Sequence, residues 1–103
     1  MSDLPIKLLM TWDITPGEEE TCFAFITQDL PVRMRDAGLE LTDAWFTAYG
    51  DWPQIRIGFV TTDLLALESF LMSDVWQKLK NQLLTYARDY EEKVVVAKGA
   101  FQI

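Results

Sequence analysis

Between Asp43 and Val60 two alternating runs fold onto each other in phase, and few features restrict a chain of this size more. With a two-residue turn at Asp51-Trp52, Gly50 falls opposite Pro53, Ala48 opposite Ile55, Phe46 opposite Ile57 and Ala44 opposite Phe59. That face is apolar throughout. The interleaved positions set Tyr49 opposite Gln54, Thr47 opposite Arg56, Trp45 opposite Gly58 and Asp43 opposite Val60, a mixed face. Side chains alternate with a period of two, so a one-residue slip would turn one strand over. The agreement of both runs therefore predicts a hairpin. One dry face and one polar-aromatic face imply a sheet with different surroundings on its two sides.

The rest of the chain falls into phase with this hairpin. Ile6 to Ile14 alternates as a first strand, with Ile6, Leu8, Met10, Trp12 and Ile14 on one side and Lys7, Leu9, Thr11 and Asp13 on the other. After Thr15-Pro16-Gly17, the acids Glu18, Glu19 and Glu20 suit the first turn of a helix, whose dipole is positive there. Phe23, Ile26 and Leu30 follow at helical spacing, Pro31 predicts a kink near Asp29, and Gly38 ends the helix. Past the hairpin, Thr61, Thr62 and Asp63 are cap candidates for a helix in two parts. Ser73-Asp74 restarts it, with Asp74 and Gln77 spaced as a capping box, and Trp76, Leu79, Leu83, Tyr86, Ala87 and Tyr90 form its apolar stripe. A Val-rich strand is expected over Glu92 to Lys98, followed by a short apolar tail at 99–103.

Composition narrows the function classes. The chain has 103 residues, one domain's worth, and 16 acids against 9 bases give a net charge of −7. With no basic patch, nucleic acid and anionic membrane surfaces are not expected partners. Nothing approaches the roughly 20 apolar residues of a bilayer span, and the first residues do not resemble a signal peptide. The one cysteine, Cys22, rules out an internal disulfide, and a cytoplasmic location is expected. There is no histidine, which removes His-activated nucleophiles, His-ligated haem and the usual mixed zinc sites. The five glycines never reach a phosphate-cradling spacing, so no cofactor and no metal are expected. Glu18 to Glu20 fan around a helix instead of converging on a cation. Cys22 reads as a packing residue, with a reactive thiol as the alternative, and Lys7 as a solvated lysine, with a Schiff-base amine as the alternative.

The order β-α-β-β-α-β is the ferredoxin-like split βαβ pattern: an α+β domain with a four-stranded antiparallel sheet in order 4-1-3-2, covered on one face by both helices. The other face would carry Lys7, Leu9, Thr11, Asp13, Asp43, Trp45, Thr47, Tyr49, Arg56 and Val60, a set too apolar to be left to water. With this strand order, the Tyr49-Gly50-Asp51-Trp52-Pro53-Gln54 hairpin, and Trp76 in a two-part helix before a Val-rich strand, the chain resembles the dimeric α+β barrel superfamily, which includes antibiotic-biosynthesis monooxygenase-like proteins. The resemblance implies a homodimer in which two ferredoxin-like sheets face each other around a small cavity, with residues 99–103 reaching onto the partner. The haem-degrading branch relies on a histidine that this sequence lacks.

On the mixed face the sequence gathers candidates for a site. Asp13 and Arg56 are placed to meet across adjacent strands, with Thr11, Trp45, Thr47 and Tyr49 as ligand-binding neighbours. Apolar walls with a few converging polar groups are how small-molecule sites are built. Three functions stay open: binding a small hydrophobic or aromatic ligand, a purely structural or interaction role, and, as the resemblance allows, cofactor-free oxygenation or isomerisation of an aromatic or polyketide-like substrate. In the last, Asp13 would be the proton acceptor, Arg56 the oxyanion stabiliser, and Trp45 with Tyr49 the substrate platform. Trp52, at the hairpin tip, would anchor an interface, close a cavity mouth or fold back on its own sheet.

Overall fold

The structure, a computed structural model, describes residues 4–51 and 53–96. Strand β1 (Ile6–Ile14) spans the alternating run read from the sequence. The first helical segment comprises α1 (Glu19–Ala24), a π-helical turn (Phe25–Asp29) and α2 (Leu30–Asp36). Strands β2 (Glu40–Phe46) and β3 (Ile55–Thr61), helices α3 (Leu64–Leu71) and α4 (Asp74–Leu84), and strand β4 (Ala87–Val96) complete the order. The sheet runs β2-β3-β1-β4 and every pairing is antiparallel. This is the ferredoxin-like α+β architecture expected from the pattern. No helix among the described residues is long and apolar enough to cross a membrane.

The core is the helix-covered side of β1 and β3. Ile6, Leu8, Met10, Trp12 and Ile14 alternate inward from β1, and Ile55, Ile57 and Phe59 from β3. Cys22, Phe25, Leu30 and Met34 close over them from the first helical segment, with Leu67, Phe70, Trp76, Leu79 and Leu83 from α3 and α4. Each fully buried large aliphatic or aromatic side chain contributes roughly 1.5–3 kcal/mol, so this layer is the main stabilising term.

The kink at Pro31 takes a specific form. The Leu30 N–H reaches the carbonyl of Phe25, five residues back, and the turn from Phe25 to Asp29 widens to hold the extra residue. Proline lacks an N–H and its ring crowds the preceding turn, so the widened turn accommodates it without ending the helix. The insertion shifts the buried stripe to Cys22, Phe25, Leu30 and Met34. In an unbroken α-helix Asp29, four residues after Phe25, would take the inward position. Of the expected stripe, Leu30 is buried and Ile26 packs partly buried against the core, while Phe23 is exposed and stacks edge-on with Phe46 of β2 at 5.3 Å. The segment ends as expected at Gly38, whose φ of +89° lets Leu39 N–H return to the Met34 carbonyl at 2.9 Å and buries Leu39.

Three further expectations change. The hairpin pairs Phe46 with Ile55 and Ala44 with Ile57, two residues out of the expected register. A two-residue slip keeps each side chain on its face, which is why the face assignment survives. Residues 47–54 form a loop closed by the Thr47 N–H on the Gln54 carbonyl at 2.8 Å. Helix α4 stops at Leu84 and β4 begins at Ala87, so Tyr86, Ala87 and Tyr90 are not helical. A bulge at Asp89, φ 54°, lies where the pairing to β1 shifts between Thr11 and Asp13. The bulge brings Tyr90 to the helix side, where its ring centroid is 6.1 Å from that of Trp12. A turn followed by a bulged strand thus reproduces the helical spacing of 83, 86, 87 and 90. Finally, α4 is capped by Ser73, whose Oγ accepts the Trp76 N–H at 3.2 Å, in place of the expected Asp74–Gln77 pair. The α3 cap, Asp63 accepting from Ala66 at 3.0 Å, is as read.

Because Gly38 holds a left-handed conformation, Gly38→Ala is expected to lower the unfolding free energy by about 1–2 kcal/mol in urea titrations. An unchanged midpoint would show that the helix end tolerates a Cβ there.

Candidate functional site

The face of the sheet away from the helices is organised in rows by the strand register. Trp45, Arg56, Thr11 and Glu91 lie side by side across β2, β3, β1 and β4, and the next row is Asp43, Gly58, Leu9 and Lys93. A bulge at Thr42 creates this arrangement. The register shifts between Leu41 and Asp43, so Leu41 sits opposite core-facing Phe59 while Asp43 comes opposite Gly58 on the open face. Thr42 Oγ1 secures the bulge by donating to the Gly58 carbonyl at 3.1 Å or to Asp43 Oδ1 at 2.8 Å.

An ion pair crosses one end of this face. Lys7 Nζ on β1 and Asp43 Oδ1 on β2 meet at 3.0 Å although β3 runs between them. They can do so because Gly58 has no side chain: a Cβ there would lie 2.5 Å from both Asp43 Oδ1 and Lys7 Cε. Burial pushes the Asp43 carboxyl upward in pKa, but the hydrogen bonds from Lys7 and Thr42 and the lysine charge outweigh it and hold the group below the ordinary value of 3.8. Lys7, expected in solvent, is therefore a partnered strap with only 16% of its side chain exposed. Neither Gly58 nor this pair was among the candidate site residues; an isolated glycine in a strand is the signal that marks such a close approach.

The opposite end of the face is bounded by the loop 47–54. Gln54 anchors it to β1: its N–H donates to Asp13 Oδ1 at 3.0 Å and its Oε1 accepts the Ile14 N–H at 2.7 Å. Asp13 therefore meets the Gln54 backbone and makes no ion pair with Arg56. Among the described residues Arg56 is in no ion pair at all; the pairs formed are Lys7–Asp43 and Lys80–Glu92.

Of the other candidates, Thr11 is the direct cross-strand neighbour of Arg56, while Trp45 and Thr47 join Arg56 and Pro53 around a depression of about 270 Å³. A second depression of about 300 Å³ on the β1–β4 side includes Leu9, Thr11, Pro53 and Arg56, and a third of about 400 Å³ lies between the strap, Trp45 and Arg56. Tyr49 does not join them: it stands in the loop with 97% of its surface exposed and lines none of the three. Trp52 and residues 97–103 lie outside the described residues, and with them the expected turn position, the end of the last strand and the tail at 99–103.

Cys22 belongs to the core. It is buried, its Sγ accepts the Trp12 indole N–H at 3.4 Å, and burial pushes its pKa up, opposite to an activated thiol.

The sequence matches no protein-family model and no curated protein. Solved structures do match. An uncharacterized NIPSNAP domain protein from Burkholderia xenovorans is 16% identical with a TM-score of 0.65, covering 93% of this chain and 96% of that one. A NIPSNAP family protein from Agrobacterium tumefaciens is 13% identical at a TM-score of 0.68, covering 95% and 90%. An antibiotic biosynthesis monooxygenase-like protein of Bacteroides thetaiotaomicron is 19% identical at 0.60, covering 96% and 92%. At such identities the likeness is one of fold, the ferredoxin-like fold that the sequence pattern suggested.

Two outcomes test the strap. A Lys7–Asp43 double-mutant cycle should give a coupling of roughly 0.5–1 kcal/mol that falls to near zero in a Gly58→Ala background; equal coupling in both would mean glycine is not what admits the pair. The depressed Asp43 carboxyl stabilises the fold at pH above its unfolded value near 3.8 and loses that contribution as pH falls through the lower folded value. The stability gap between the parent and Asp43→Asn should thus close below that pH, and a gap that persists there would remove the electrostatic explanation.

Proposed function

We propose that this chain is a small-molecule-binding domain that works as a homodimer, the open faces of two sheets closing over a partly polar cavity that takes a small hydrophobic or aromatic ligand. One observation carries this reading: the face opposite the helices is built like the wall of a pocket. Trp45 lies on it with 64% of its surface exposed, beside half-buried Arg56, and depressions flank the guanidinium on both sides. Water-facing sheets do not ordinarily present an indole and a paired charge strap around shallow cavities. The fold supports the reading, since the superfamily it resembles places two such faces against each other. The single buried cysteine and acidic composition support a cytoplasmic setting.

Catalysis is the less supported alternative. A cofactor-free monooxygenase or isomerase would need Asp13 as proton acceptor, yet one of its oxygens holds the Gln54 N–H, and Tyr49 stands away from the depressions. Arg56 and Trp45 remain placed for either reading. In the purely structural alternative the two faces would meet in a dry seam.

Sedimentation velocity at micromolar concentration should give a dimer that Trp45→Glu converts to monomer. In a fragment screen by amide correlation spectra, apolar aromatic fragments should move the resonances of Thr11, Trp45 and Arg56 and leave those of α4 in place. A monomeric parent, or a dimer whose open-face resonances respond to no fragment, would overturn the proposal.

A further inference from the structure

We infer that the ligand of the open face carries a carboxylate, bound by the Arg56 guanidinium with its aromatic or apolar body against Trp45 and Pro53; the inference rests on the open face being a ligand site. The starting point is how the charges on this face are spent. Asp43 is satisfied by Lys7 and Thr42, and Asp13 takes up the Gln54 N–H. Arg56 is left without an ion pair among the described residues, in a chain where acids outnumber bases 16 to 9. An arginine in such a chain has carboxylates in excess to choose from, and this one is half-buried beside none that it bonds. Its fork of donors matches a carboxylate in two-point geometry.

The surroundings define the remainder of the molecule. Thr11 lies directly across the β1–β3 ladder from Arg56, so its hydroxyl is on the same row and can donate to the same anion. Trp45 is the neighbour on the other side, and with Thr47, Pro53 and Arg56 it encloses about 270 Å³. This is just under the lower end of the roughly 300–1,000 Å³ typical of ligand pockets and suits one or two fused rings. The strap above Gly58 and the loop held by Gln54 flank the row on its two sides along the strand direction, so the long axis of the ligand runs across the strands. Beyond Thr11, Glu91 lines the same depression as Arg56 and is in no ion pair among the described residues, so it would repel a second carboxylate on that side. A monocarboxylate fits; a dianion does not.

The test uses matched pairs: benzoate, phenylacetate and 1-naphthoate against their primary amides, titrated by calorimetry into the full chain and into Arg56→Gln and Arg56→Lys. A charge-assisted pair predicts that each acid binds roughly ten- to hundredfold more tightly than its amide and that Arg56→Gln abolishes the difference. Arg56→Lys should restore only part of it, because a point charge lacks the two-point geometry. Equal binding of acids and amides, with Arg56→Gln indifferent, overturns the carboxylate assignment and leaves the ligand site standing. A loss of dimer in Arg56→Gln with acid binding unchanged assigns the guanidinium to the second copy and overturns it too. No binding by either series at millimolar concentration overturns this inference together with the reading it rests on.

Discussion

The whole domain hangs on β1. It is the longer of the two central strands, paired with β3 on one side and β4 on the other, and its inward residues, from Ile6 through Trp12 to Ile14, are all buried beneath the helices. With a side-chain period of two, only one registration of β1 puts Met10 and Trp12 under α4 and the π-turned helix at once. Shifting β1 by a single residue would bring Lys7 and Asp13 into the core, at a cost far beyond the few kcal/mol by which domains of this size are stable. Once β1 is fixed, the faces of β3 and β4 follow from their ladders, and so does the composition of the open face.

Where the chain departs from regular geometry, it does so to keep both faces correct. The π turn lets Leu30 lie inward despite Pro31. The Thr42 bulge lets the odd-numbered Leu41 and Asp43 serve opposite faces of one strand, and the Asp89 bulge carries Tyr90 under the helices beside Trp12. On the helix side Tyr90 is tied further: its hydroxyl donates to Glu92 at 2.9 Å and Lys80 lies 5.7 Å above its ring. The two bulges set the edges of the site. The Thr42 bulge aligns Asp43 with Gly58, and the Asp89 bulge lies at the end of β1 where Asp13 meets the loop.

The open face differs from an ordinary wet surface in how its charge is distributed. Asp43 and Asp13 are engaged by fixed partners, whereas the guanidinium is held by the ladder in a row with Trp45, Thr11 and Glu91. A half-buried cation with rigid neighbours loses little entropy on meeting an anion, which is what makes such a position suited to recognition. Asp13, on the same face, gives one carboxylate oxygen to the loop.

Much of this was readable from the amino-acid order alone. The alternation of 6–14, the in-phase runs of 43–60 and the caps at Asp63 and Ser73 determine the elements, the split βαβ topology and the face on which Thr11, Trp45 and Arg56 lie, because these depend on side-chain periods of two and 3.6 that are written locally. The two-residue slip of the hairpin was not readable, since a shift by a full period leaves every face unchanged and only the length of the loop decides it. Nor was the end of α4: a turn and a bulge reproduce helical spacing, and pairing to β1 makes the choice. Which charges meet was settled only in three dimensions. Lys7 reaches Asp43 across an intervening strand because the residue between them is Gly58, and Asp13 turns to Gln54 instead of Arg56 because the loop brings a backbone N–H to it first. Such contacts depend on distances between strands far apart in sequence, which no local pattern encodes.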